Sequence, residues 1–143
     1  MSFPKTPWHL WVVAIIAVLW NAMGATDFAM TMSHNAAWTK AMTTDQLHYV
    51  DSFPGWAIAA WGLATWGALI ASFLLLLRRG IAVPVFAVSA IAVAVTFTYE
   101  YALSDGLRIM GGGKALAFSA VIFVIAVLLW MYSRAMRRRG VLR

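Results

Sequence analysis

The chain has 143 residues, 63% hydrophobic and 11% charged, with no cysteine and a formal net charge of +6. Charge lies well below the roughly 25% of soluble domains, which excludes a soluble helical protein with a wet outer face, and the lack of cysteine excludes a disulfide framework or thiol-based membrane redox chemistry. The basic residues are few and sit at the ends of apolar stretches, so the positive balance reads as a topology signal and argues against nucleic-acid binding.

The first apolar stretch predicts a helix over about 8–31. Thr6-Pro7 reads as a capping hydroxyl followed by proline at the first helical position. Lys5 and Ala22-Met23-Gly24 resemble the charged start and small-residue cleavage site of a signal peptide. Apolar character continues through Phe28, Met30 and Met32, so an uncleaved span is the expectation. A longer connection follows, in which Thr43-Thr44-Asp45-Gln46 reads as a capping box opening a short interfacial helix over about 44–50, lying on Leu47 and Val50.

Spans over about 53–77, 81–103 and 114–136 complete the chain, the first opened by Ser52-Phe53-Pro54. The turn at Arg78-Arg79-Gly80 makes the second and third spans antiparallel neighbours, and the glycine-rich segment from Ser104 to Lys114 should be irregular. The stretches Phe53 to Leu77, Ile81 to Tyr99 and Ala115 to Ser133 hold no charged side chain, and roughly 20 residues at about 1.5 Å each cross a ~30 Å hydrocarbon core. The expected fold class is therefore all-α: one integral membrane four-helix bundle spanning residues 1–143.

An even number of spans puts both termini on one side. Lys5, Arg78, Arg79, Arg134, Arg137, Arg138, Arg139 and Arg143 fall there, against Lys40, Arg108 and Lys114 on the other. The positive-inside rule then makes both termini cytoplasmic in a multi-pass protein of the bacterial inner membrane. The acids Asp27, Asp45, Asp51, Glu100 and Asp105 all belong to the outer half.

Ala60, Ala64, Ala68 and Ser72 recur every fourth residue and form a stripe for close helix approach, suited to a central or a dimer-forming helix. Asp27 and Glu100 lie at equal depth, roughly 28 Å along their helices. Carboxylates at such depth pair or serve a pathway, and with Asn21 deeper on the first helix they form the candidate polar site. The bland reading has both acids wet at headgroup level and Asn21 bridging two helices. A weaker outer cluster, His34, His48, Asp51 and Asp105, has metal-donor types without metal-ligand spacing, so no metal is assigned. Gly111-Gly112-Gly113-Lys114 lacks phosphate-loop spacing, which rejects nucleotide binding. Trp56, Trp61 and Trp66 do not share a face; lipid-facing filler with one core tryptophan is the expectation, and aromatic lining of a sugar-sized cavity the alternative.

Asp27-Phe28-Ala29-Met30-Thr31 matches Glu100-Tyr101-Ala102-Leu103-Ser104 by residue class, and Arg-Arg-Gly closes the second and fourth spans. Two hairpins related by a repeat are one reading; shared interface composition is the other.

The segments Pro7-Trp8-His9-Leu10-Trp11, Leu19-Trp20-Asn21-Ala22-Met23-Gly24-Ala25 with Asp27, Ser52-Phe53-Pro54-Gly55-Trp56, Leu103-Ser104-Asp105-Gly106 and Arg134-Ala135-Met136 resemble a family of small four-helix bacterial inner-membrane proteins, mostly uncharacterised and in part labelled sugar transporters. The resemblance spans nearly the whole chain and departs at Ser33-His34-Asn35, where relatives are more charged. It implies the fold and carries no binding residues across.

Two functions follow as expectations. One is small-solute transport, sugar-like or proton-coupled, through Asn21, Asp27 and Glu100. The other is a non-catalytic accessory or scaffold subunit that meets lipid, a second copy or a larger membrane partner through the Ala60 to Ser72 stripe. An enzyme is disfavoured by the missing nucleophile, cysteine and metal signatures, and no cofactor is implied.

Overall fold

The computed structural model describes residues 4–143, which form no strand. In chain order the helices are α1 (Trp8–Met32), α2 (Ala36–Thr39), α3 (Thr44–Asp51), α4 (Gly55–Leu76), α5 (Ala82–Thr98), α6 (Gly106–Ile109) and α7 (Gly113–Arg138), with a π-helical turn, Tyr99–Leu103, extending α5. The spans Trp8–Met32, Gly55–Leu76, Ala82–Leu103 and Gly113–Arg138 are long and apolar enough to cross a membrane. The protein is all-α with four membrane-length helices, as its sequence predicts.

The long helices pack in chain order: α4 lies between α1 and α5, and α5 between α4 and α7. The flanking helices α1 and α7 touch through a 2.6 Å hydrogen bond between His9 Nδ1 and the Tyr132 hydroxyl and an edge contact of the Trp20 and Phe118 rings at 6.4 Å. Their other faces are bare and apolar, with Ile15, Ile16 and Leu19 exposed on α1 and Val121, Val124, Leu128 and Met131 on α7. Such faces suit hydrocarbon.

Ala64, Ala68 and Ser72 are buried on α4. Ala64 packs with Ala92 and Val93 of α5, and the Ser89 hydroxyl donates to the Ala64 carbonyl at 2.7 Å. On the α1 side, Asn21 Nδ2 donates to Ser72 Oγ at 2.9 Å. Ala64, Ala68 and Ser72 of the small-residue stripe are thus taken up by contacts within the chain, and α4 is the central helix.

One end of the bundle gathers the termini. Leu10, Ala14, Ala71, Leu75, Ala82, Phe86 and Met136 form a buried cluster there, closed by Val141 and Leu142 from the last three residues. Gly80 N–H donates to the Arg143 carbonyl, Arg143 N–H donates to the Arg78 carbonyl at 2.8 Å, and the Arg78 guanidinium donates to Thr6 Oγ1 at 2.8 Å. The chain entry, the α4–α5 turn and the chain exit are therefore tied together. The opposite end, the loop end, carries α2, α3 and α6.

The helix starts differ from the expectation. Pro7 and Pro54 are themselves the extended residues preceding α1 and α4, without side-chain caps. Thr6 serves Arg78 instead, and Ser52 donates to the Tyr49 carbonyl at 2.6 Å as the end of α3. The Thr43 capping box does form, with Gln46 N–H on Thr43 Oγ1 at 3.2 Å and Thr43 N–H on Gln46 Oε1 at 3.1 Å. On α3, Tyr49 and Val50 are buried and Leu47 is half-buried.

The ends of α1, α4 and α7 share one backbone closure, in which the residue past the cap turns left-handed and two N–H groups reach back to helix carbonyls. Those residues are His34 (φ 53°), Arg78 (φ 57°) and Gly140 (φ 71°). The two Arg-Arg-Gly segments consequently do different work: Gly140 makes the left-handed turn in one, whereas Arg78 makes it in the other, two residues before Gly80.

Candidate functional site

A cavity of about 430 Å³ lies inside the four long helices, within the roughly 300–1,000 Å³ range of small-molecule sites. Its lining comes from α1 (Trp20, Asn21, Asp27), α4 (Trp61, Ala64, Thr65, Ala68), α5 (Phe86, Ser89, Thr96, Phe97) and α7 (Phe118, Ile122, Ala126, Leu129), with Trp38 of α2 at the loop end. It forms because small residues on α4 leave volume that the sparse contact between α1 and α7 does not fill.

Few polar atoms face this space, and their roles are defined. Asn21 commits one N–H to Ser72 Oγ, which itself donates to the Ala68 carbonyl at 2.7 Å. Thr65 donates to the Trp61 carbonyl at 3.0 Å, Ser89 to the Ala64 carbonyl and Thr96 to the Ala92 carbonyl at 2.8 Å. Each hydroxyl proton is spent on backbone, so these oxygens can offer the cavity only lone pairs. Asp27, an exposed residue, accepts the Trp38 indole N–H on Oδ1 at 2.9 Å. Trp61, packed edge-on against Phe28 at 4.9 Å, is half-buried, while Trp56 and Trp66 are exposed.

Of the predicted polar site, the structure brings Asn21 and Asp27 to one cavity and leaves Glu100 out of its lining. Glu100 belongs to the π-helical turn, where its carbonyl and Cγ crowd Gly106 beside the Tyr49 hydroxyl. The partner the structure gives Asp27 is an indole, that of Trp38.

The outer cluster divides. His34 Nε2 lies 2.9 Å from Asp51 Oδ1, both exposed. His48 and Asp105 instead line a second, open and polar pocket of about 890 Å³ with Asp45, Tyr49, Tyr99 and Arg108, and Arg108 donates to Asp105 Oδ2 at 3.1 Å. Tyr49 anchors that pocket's floor. Its hydroxyl meets Ser104 Oγ at 2.6 Å, and because Ser104 donates to the Tyr99 carbonyl at 2.8 Å, Tyr49 is the donor. Burial pushes the Tyr49 phenol above its usual range, with a smaller contribution from the nearby Glu100 carboxylate. Among the described residues no three His, Asp or Glu side chains group so as to hold a metal ion.

Sequence reasoning missed Trp38, Thr65, Ser89 and Thr96. Ser89 and Thr96 stand two helical turns apart on one face of an otherwise apolar helix, a signal that was available. Nothing local to Trp38 marks it as a partner of Asp27.

No family model matches this chain, and neither a curated protein nor a solved structure is similar to it.

Proposed function

We propose that this protein is a multi-pass inner-membrane protein that binds a small solute in the cavity between α1, α4, α5 and α7 and passes it across the bilayer. In this reading both termini and the α4–α5 turn are cytoplasmic, because their end of the molecule carries eight of the eleven Lys and Arg residues and no acid. The loop end is then outer, with Asp27 and Trp38 at the mouth of the site and Asn21 deeper.

The observation that supports solute binding is the cavity itself, which reaches Asn21 and is lined by all four long helices. An accessory subunit docking through Ala60 to Ser72 has less support, since Ala64, Ala68 and Ser72 of that stripe are occupied within the chain.

The test is uptake of a panel of labelled sugars, amines and carboxylates into liposomes holding the purified protein, compared with Ala126→Phe, which fills the cavity from α7. Uptake of one class by the wild type and its loss in a folded Ala126→Phe variant is the expected result. Uptake of none, or equal uptake by both, rejects the proposal.

A further inference from the structure

We infer, resting on solute binding in the same cavity, that the solute is an organic cation with an apolar body, a quaternary or protonated amine bearing aromatic or alkyl groups. Four features of the structure converge on that class.

Among the described residues, Asp27 is the one charged residue in the cavity lining. Trp38 occupies one of its oxygens at 2.9 Å, and Oδ2 has no partner among the described residues. A carboxylate at the edge of a low-dielectric space attracts a monovalent cation far more strongly than it would in water.

The walls are aromatic: Trp20, Trp38, Trp61, Phe97 and Phe118 reach the cavity from five different helices. Ring faces attract ammonium groups, most strongly for tryptophan and when the cation is desolvated. The apolar remainder of the lining suits the body of such a molecule.

The lining hydroxyls are of the wrong kind for a sugar, and Asn21, with one N–H left over, is a single amide deep in the cavity. Thr65, Ser89 and Thr96 spend their protons on backbone carbonyls, so they accept and do not donate. Each sugar hydroxyl needs a donor as well as an acceptor, and leaving such groups unpaired in an apolar space is costly. An ammonium or alkylammonium group brings donors only, or none.

Charge is segregated along the molecule. At the loop end Asp27, Asp45, Asp51, Glu100 and Asp105 outnumber Lys40, Arg108 and Lys114, whereas the opposite end carries cations alone. The mouth therefore draws cations and repels anions.

The probe is benzyltrimethylammonium, whose uncharged carbon isostere is neopentylbenzene. Binding of the labelled cation to the full-length protein in zwitterionic detergent is measured by equilibrium dialysis, with neopentylbenzene and glucose as competitors. The expected result is saturable binding, competition by neopentylbenzene weaker by about tenfold or more, and a loss of about tenfold or more in Asp27→Asn. Asp105→Asn, outside the cavity, should bind as the wild type does. Equal competition by the isostere, displacement by glucose, or undiminished binding in Asp27→Asn overturns the cation assignment. Should Asp27→Asn fail to fold, the isostere comparison on the wild type decides. Absence of cation binding in a protein whose uptake of another solute is lost in Ala126→Phe sinks the cation class while leaving the cavity reading intact. Absence of both sinks the two together.

Discussion

The indole N–H of Trp38 rests on the Asp27 carboxylate at 2.9 Å, joining a four-residue helix of the α1–α4 connection to the loop end of α1. This bond holds a side chain that lines the cavity, so α2 and the mouth of the cavity are mechanically one unit. Hydrogen bonds to charged groups contribute about 1.5–3 kcal/mol, with exposed ones at the low end. Trp38→Phe keeps the ring and removes the donor. It is expected to speed amide exchange at residues 36–39 while leaving α4 and α5 unchanged; unaltered exchange there would show that α2 is held by other contacts.

Asn21 and Ser72 test whether the amide is a packing element or a site element. Within membranes such interhelical bonds average about 0.6 kcal/mol by double-mutant cycles, with a maximum near 1.7. Asn21→Leu and Ser72→Ala should therefore show a coupling of about that size in detergent unfolding. A coupling near zero would mean that Asn21 is turned to the cavity and that Ser72 is satisfied by the Ala68 carbonyl alone.

The four spans were legible because length and unbroken apolarity are properties of contiguous sequence, and the Thr43–Gln46 box because its partners lie three residues apart. Asn21 and Asp27 were legible as polar interruptions of an apolar helix. Glu100 was legible as an acid, but it does not join Asn21 and Asp27 in the cavity lining. Rise per residue gives depth, but facing direction depends on an uninterrupted 3.6-residue turn, and the π-helical Tyr99–Leu103 segment breaks that periodicity. Trp38 was illegible for a different reason: its bond to Asp27 depends on how the connection folds back, and no local pattern encodes that. The matched Arg-Arg-Gly segments illustrate the same limit, since identical residues take the left-handed turn at Arg78 in one and at Gly140 in the other.

Gly106 is the tightest point of the loop end. A Cβ there would meet the Glu100 carbonyl, Glu100 Cγ at 2.5 Å and the Tyr49 hydroxyl at 2.6 Å. Part of that obstacle is backbone, so side-chain rotation alone cannot relieve it. Gly106→Ala is expected to destabilise by about 1–3 kcal/mol, the usual cost of overpacking, and to loosen α6 and the π-helical turn together. A thermal transition within a degree or so of wild type would mean that the turn relaxes freely.

Tyr49 makes the same corner sensitive to alkali. Burial raises its folded-state pKa above the unfolded value, so the protonated form is favoured by folding. The associated stability is fully present below the unfolded value of about 10 and is lost as pH rises through the higher folded value. Unfolding measured from neutral pH upward should show a decline above about pH 10 that is reduced in Tyr49→Phe. That variant also loses the bond to Ser104, so its stability at neutral pH should be lower by about 1 kcal/mol. A decline identical in both proteins would assign the alkaline loss to another group.

Membrane orientation is decided by charge and can be tested without knowing the solute. The end holding Thr6, Arg78 to Gly80 and Arg143 is one connected structure, so its segments must share a side of the bilayer, and the cations concentrated there favour the cytoplasm. His34, past the end of α1, lies at the other end and is exposed. The chain has no cysteine, so single cysteines at positions 34 and 79, where Arg79 is also exposed, report without background. His34→Cys removes the contact to Asp51, an exposed pair whose loss costs only about 0–1 kcal/mol, and Arg79→Cys leaves the left-handed turn at Arg78 in place. An impermeant maleimide applied to intact cells is expected to label position 34 and to reach position 79 only after the membrane is opened. Labelling of 79 alone would invert the protein, put Asp27 and Trp38 at the cytoplasmic mouth and make the cavity's access cytoplasmic; labelling of both from outside would break the even number of crossings on which the orientation depends.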